Sequence, residues 1–106
     1  AEDVKAVLEE PLEYEVVYKP LVRIRELPSR HVRAMGRARH GAVLRGFPAG
    51  NWLRVTRQEM DRFQEEGDEP LQPEAVGWIL IDGSHLGKGS LLAPTWAAIT
   101  VTARFT

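Results

Sequence analysis

Apolar positions along this chain are spaced as in a small β protein. The densest run is Gly77-Trp78-Ile79-Leu80-Ile81-Asp82-Gly83, in which an Asp-Gly turn signal closes an unbroken apolar stretch. Alternation is absent there. The run therefore predicts a central strand covered on both faces, with Trp78 sealing one end of the core. Leu21–Leu27 alternates instead, with Val22 and Ile24 on one side and Arg23 and Arg25 on the other. Trp52–Val55 repeats that arrangement: Leu53 and Val55 point inward, Trp52 and Arg54 outward. The turn Pro48-Ala49-Gly50-Asn51 joins it to a strand over Ala42–Phe47. The inward set of that strand stays open, because Val43 and Leu44 are adjacent. Glu13–Tyr18 reads as a strand, interrupted at Pro20. Arg30–Arg39 reads as a loop followed by a short strand. Thr95–Thr106 alternates strictly, with Ala97, Ile99, Val101, Ala103 and Phe105 on one face.

One segment breaks the β pattern. Thr56–Glu66 predicts a helix: Thr56 is placed to cap it, Glu59 completes a capping box, and Met60 and Phe63 form a narrow apolar stripe. Gly67 suits the left-handed position at its end, and Pro70 and Pro73 mark the loop that leads back to the central strand. The fold class that follows is all-β, a small antiparallel barrel with one short inserted α-helix. Residues 1–12 are expected to form a linker or short helix. Residues 13–106 form one domain, with the helical insertion at about 56–67.

Charge adds a second layer. The net charge is −1, yet the signs are segregated. Glu2, Asp3, Glu9, Glu10, Glu13 and Glu15 crowd the start against Lys5 alone. Lys19 to Arg57 is basic, with Glu26 the one acid among its lysine and arginines, and Glu59 to Glu74 turns acidic again. Cysteine is absent, which removes disulfides, thiolate catalysis and thiolate metal sites and leaves the compartment open. No apolar run approaches the ~20 residues of a membrane-spanning helix. The chain begins with Ala and reads as a piece of a longer polypeptide.

Candidate chemistry is sparse. Ser84-His85-Leu86-Gly87-Lys88-Gly89-Ser90 has the residue types of a phosphate loop without its spacing, since Gly89 separates Lys88 from Ser90 and no long helix can follow before Pro94. It reads as a structural loop. His31, His40 and His85 do not stand at ligand spacing, so neither a metal nor a cofactor is expected. Asp61, Glu65 and Glu66 fall close along the predicted helix and read as a solvated face rather than an acid–base pair. Ser29, Ser84 and Ser90 sit in turns with no nucleophile context. The reading is of a protein that is not an enzyme.

The order of elements resembles the bacterial-type Src-homology-3-like domains. The residues that carry the resemblance are Val22-Arg23-Ile24-Arg25 with Pro28-Ser29, then Gly41-Ala42-Val43-Leu44, Trp52-Leu53-Arg54-Val55 and Gly77-Trp78-Ile79. It covers about Val16 to Ile81. It departs from the pattern in the insertion Thr56–Val76, in the glycine-rich segment after Ile81, and in a basic Arg30–Arg39 loop where peptide-binding members are acidic. The resemblance implies a small barrel that acts by binding.

The arginines carry the functional expectation. Arginine outnumbers lysine eleven to three, and outward Arg23, Arg25 and Arg54 with Arg30, Arg33 and Trp52 make a surface suited to carboxylates and aromatic groups. Pairing of many of these arginines with the chain's own acids is the alternative. The function that follows is a non-catalytic interaction or scaffolding module, binding an acidic protein segment or an adjacent domain of its own chain. Two other readings stand beside it: nucleic-acid binding through the arginine face, and, from the resemblance, cell-wall or glycan targeting through Trp52 and Trp96.

Overall fold

A computed structural model describes residues 11–95. Residues 1–10 of the N-terminal linker or helix expected over 1–12, and residues 96–106 of the strand expected over Thr95–Thr106, Trp96 among them, lie outside the described residues, while Leu12 belongs to a strand. Within them the protein is antiparallel β with one short helix. The strands are β1 (Leu12–Val16), β2 (Leu21–Arg25), β3 (Ala34–Arg39), β4 (Val43–Ala49), β5 (Trp52–Thr56), β6 (Val76–Leu80) and β7 (Leu92–Pro94), with α1 (Arg57–Asp61) after β5.

The strands form one sheet in the order β3-β2-β6-β5-β4-β1-β7. That order is open: β3 and β7 are its edges, and the sheet does not close into the expected barrel. At one edge, the arginines of β3 pair with an acidic loop. β7 is three residues long and ends at Pro94, which has no N–H to donate to a ladder.

Pattern becomes core by alternation. Val22 and Ile24 of β2, Leu44 of β4, Leu53 and Val55 of β5 and Ile79 of β6 are buried together with Tyr14, Val16, Ala38, Met60, Leu91 and Leu92. The ambiguous strand resolves with Leu44 and Gly46 inward and Val43 outward. The first half of β4 pairs with β1, Leu12 opposite Gly46, and its last residues pair with β5, Phe47 opposite Arg54. Gly46 sits where the strand changes partner. A Cβ there would stand 2.6 Å from the Arg54 carbonyl oxygen and 2.7 Å from Leu53 Cγ, so glycine is required by close approach.

The central strand is alternating after all. Gly77 and Ile79 are buried, whereas Trp78 and Leu80 are half-buried on the opposite, outer face. Trp78 is therefore not a core residue. Gly77 leaves the space that Ile24 and Met60 fill: a Cβ would lie 2.5 Å from Ile24 Cγ2 and 2.5 Å from Met60 Sδ. Met60 enters from α1, which Thr56 caps by accepting from the Glu59 amide (3.3 Å). The expected helix is cut to a single turn and a half. The Glu59 carboxylate accepts from the Arg45 amide (3.0 Å) and pairs with Arg62, so only one side of the capping box forms.

After β6 the chain turns as expected at Asp82-Gly83. Asn51 accepts from the Asp82 amide and donates to its carbonyl (3.0 and 2.7 Å). A 3₁₀ turn over Ser84–Leu86 follows. The Ile81 carbonyl then accepts from Leu91 and Leu92, while Val17 donates to Leu91, so the ends of β6, β7 and β1 meet.

Ile79→Ala is expected to lower stability by about 2–5 kcal/mol, and Trp78→Ala by less. Chemical denaturation of both variants checks this, and the opposite ranking would return Trp78 to the core.

Candidate binding groove

The sheet is incomplete between β2 and β6. The two strands are in register only at Arg25 opposite Trp78. Towards the start of β2 the pairing stops, and a groove of about 510 Å³ borders both strands. Its floor is apolar: Leu21 from β2, Leu80 from β6, Trp52 from β5, Leu86 from the 3₁₀ turn, and Tyr18 and Pro20 from the bend before β2. Buried Val22, Ile79 and Leu91 reach its base. Arg23, Arg25, Arg30 and Lys88 stand around it.

Alternation puts the charges there. Because Val22 and Ile24 are drawn into the core, Arg23 and Arg25 must leave by the outer face. Arg25 Nη1 donates to the Val32 carbonyl (2.9 Å), which ties the loop bearing Arg30 to the strand. Lys88 lies over the Tyr18 ring, 5.8 Å from its centroid. Among the described residues, Arg23, Arg30 and Lys88 have no acidic partner within ion-pair distance.

Of the six residues expected to face a partner, four meet in this groove: Arg23, Arg25, Arg30 and Trp52. Arg33 does not. It pairs with Glu69 beside a smaller cleft next to β3. Arg54 shares the outer face but stacks on Phe47, 4.6 Å from its centroid, outside the groove. Lys88 also borders the groove, although its glycine-rich loop carries no sequence signal beyond residue types that lack phosphate-loop spacing. Tyr18, Leu21, Leu80 and Leu86 carry no chemical signature that marks a floor.

The remaining arginines of β3 are answered within the chain. Arg37 reaches Glu65 (2.9 Å) and Asp68 (3.1 Å), and Arg39 holds Glu65 through two bonds (2.9 and 3.0 Å). Glu65 is thus an ion-pair partner and not part of a solvated helical face. The hydrogen bond from Arg39 holds the Glu65 carboxyl below its usual range, with Arg37 adding to the effect. The Glu65 amide, donating at 2.8 Å, does the same for Asp68, helped by Arg37. Across the molecule, Ser84 hydroxyl and amide bonds hold Asp82 low. Among the described residues no three His, Asp or Glu side chains converge to hold a metal ion, and no helix is long and apolar enough to cross a membrane.

Set against known proteins, the chain matches no protein-family model, no curated protein and no solved structure. The groove is therefore read from its own chemistry.

The loop pairs set a pH dependence. Their carboxyls bind protons less readily folded than unfolded, so the stabilisation is complete above the ordinary carboxylate range and is lost as pH falls through the lowered folded values. The denaturation midpoint of the natural protein is expected to fall more steeply between about pH 5 and pH 3 than that of Asp68→Asn. Equal slopes would argue against a lowered Asp68 in the folded protein.

Proposed function

We propose that this domain is a non-catalytic interaction module, and that the groove between β2 and β6 binds an acidic protein segment, on a partner or on a neighbouring domain. One observation carries the reading. Arg23, Arg25, Arg30 and Lys88 surround an apolar floor, while the arginines of β3 already have acids. The acidic loop at Glu65–Glu69 pairs with Arg33, Arg37 and Arg39 outside the groove, which supports carboxylates as a ligand chemistry for neighbouring arginines. Guanidinium groups bind carboxylates through paired, directional bonds, and an apolar floor lets such contacts form partly out of water. The four motifs of the Src-homology-3-like resemblance fall on β2, the entry to β4, β5 and β6, which supports a binding module of that kind with an open sheet.

A second reading has its own observation. Arg25, Trp78, Arg54 and Phe47 are successive cross-strand neighbours on the outer face, alternating guanidinium and aromatic ring. Such a row suits stacked bases of single-stranded nucleic acid. The net charge of −1 and the acids at Glu65–Glu69 weigh against phosphate.

Binding of a fluorescent glutamate- and aspartate-rich peptide checks the first reading. Arg23→Glu combined with Arg30→Glu is expected to weaken it by about tenfold or more, and Arg33→Glu much less. The affinity should fall with added salt. Tight binding of basic proline-rich peptides, or salt-sensitive retention of an oligonucleotide on filters with none of the acidic peptide, would displace this reading.

A further inference from the structure

The groove is also a break in backbone pairing. His40 donates to the Pro20 carbonyl (2.9 Å), and Val22 stands opposite Ala38 two residues on. Antiparallel pairing alternates, so the amide groups of Val22 turn to β3 and those of Leu21 and Arg23 turn the other way, towards β6. On β6, Ile81 donates to Asn51 (2.9 Å), which by the same alternation directs Ile79 to β5 and Leu80 to β2. Arg23 and Leu80 would form the next rung after Arg25 and Trp78, yet the ladder stops before it. Leu21 and Arg23 thus present an open strand edge to the groove.

Side chains alternate there too. Leu21, Arg23 and Arg25 belong to the outer face, and Val22, Ile79 and Leu91 to the inner one, and all of them border the same space. We infer that the groove takes its acidic segment in extended form, as a short added strand on the open edge at Leu21 and Arg23. Alternate residues of that segment are apolar and point to the base of the groove, at Val22 and Leu91. The residues between them are acidic and face Arg23, Arg30 and Lys88. The occupant is thus an alternating acidic–apolar segment, held by main-chain hydrogen bonds and selected by its side chains. This inference rests on the acidic-segment reading above and adds the conformation and the apolar positions.

Three peptides of equal length and equal net charge separate the two. One alternates Glu and Leu, one carries its glutamates in a block followed by Ser and Gly, and one is the alternating peptide with its central backbone amides N-methylated. Titration into the full chain, followed by nuclear magnetic resonance, reads affinity and the exchange of the Leu21 and Arg23 amides. The alternating peptide is expected to bind about tenfold more tightly than either control and to slow exchange at Leu21 and Arg23. Equal affinity for all three, with those amides unchanged, would overturn the added strand while leaving the acidic-segment reading in place. Binding of none of them would overturn both. Displacement of the bound alternating peptide by a single-stranded oligonucleotide of matched length at equal concentration would overturn both in favour of nucleic acid.

Discussion

The sharing of β4 between two partners is the constraint on which the rest of the molecule depends. Its first half belongs to β1 and its last residues to β5, so in the strand order β4 is the link between the β1–β7 side and the β5-β6-β2-β3 side. The exchange of partners requires the chains to approach within a distance that no side chain at position 46 would permit. From that crossing the sheet coils around a single core, and Leu44 and Leu53 are buried on either side of it. α1 then covers the inner face by one residue, Met60, against the gap left by Gly77.

Coiling brings the sheet almost back upon itself without closing it. The ends of β1, β6 and β7 meet through bonds at Ile81 and Leu91, while the registered pairing of β2 with β6 ends at Arg25. The groove is the residue of that incomplete closure. It brings together apolar side chains, a cationic border and a stretch of β2 outside the registered pairing with β6. The acidic loop after α1 pairs with Arg33 and with the arginines of β3, and leaves Arg23, Arg25 and Arg30 at the groove.

Much of the β framework could be read from period and turns. The hairpin between β4 and β5, with its turn cut from Pro48–Asn51 to Gly50 and Asn51, the inward Leu53 and Val55, the outward Arg23 and Arg25, and the Thr56 cap all depend on neighbours within a few residues, and all are present. The apolar run Gly77–Gly83 suggests a strand covered on both faces, whereas β6 buries Gly77 and Ile79 and leaves Trp78 and Leu80 half-buried. An unbroken apolar run does not say which face is core, and Trp78 lies on the outer one because Gly77, its neighbour, must face Ile24 and Met60. The helix was over-extended for a related reason. Its periodicity continues past Asp61, but Glu65 and Asp68 are drawn towards Arg37 and Arg39, some thirty residues earlier in the chain.

The site divides along the same line. That Arg23, Arg25 and Trp52 leave the core is a matter of two-residue alternation, which the sequence determines by itself. Which arginines remain available to a partner is a matter of distance between elements remote in sequence. Arg33 and Arg30 look alike in the chain, yet one meets Glu69 and the other borders the groove. Lys88, Leu86 and Tyr18 join the site only because the ends of β1 and β6 converge. Local chemistry determined the strands, the turns and the segregation of charge. Only the tertiary structure decided that the sheet stays open and where its opening lies, because pairing between strands depends on curvature summed over the whole sheet and not on any one segment.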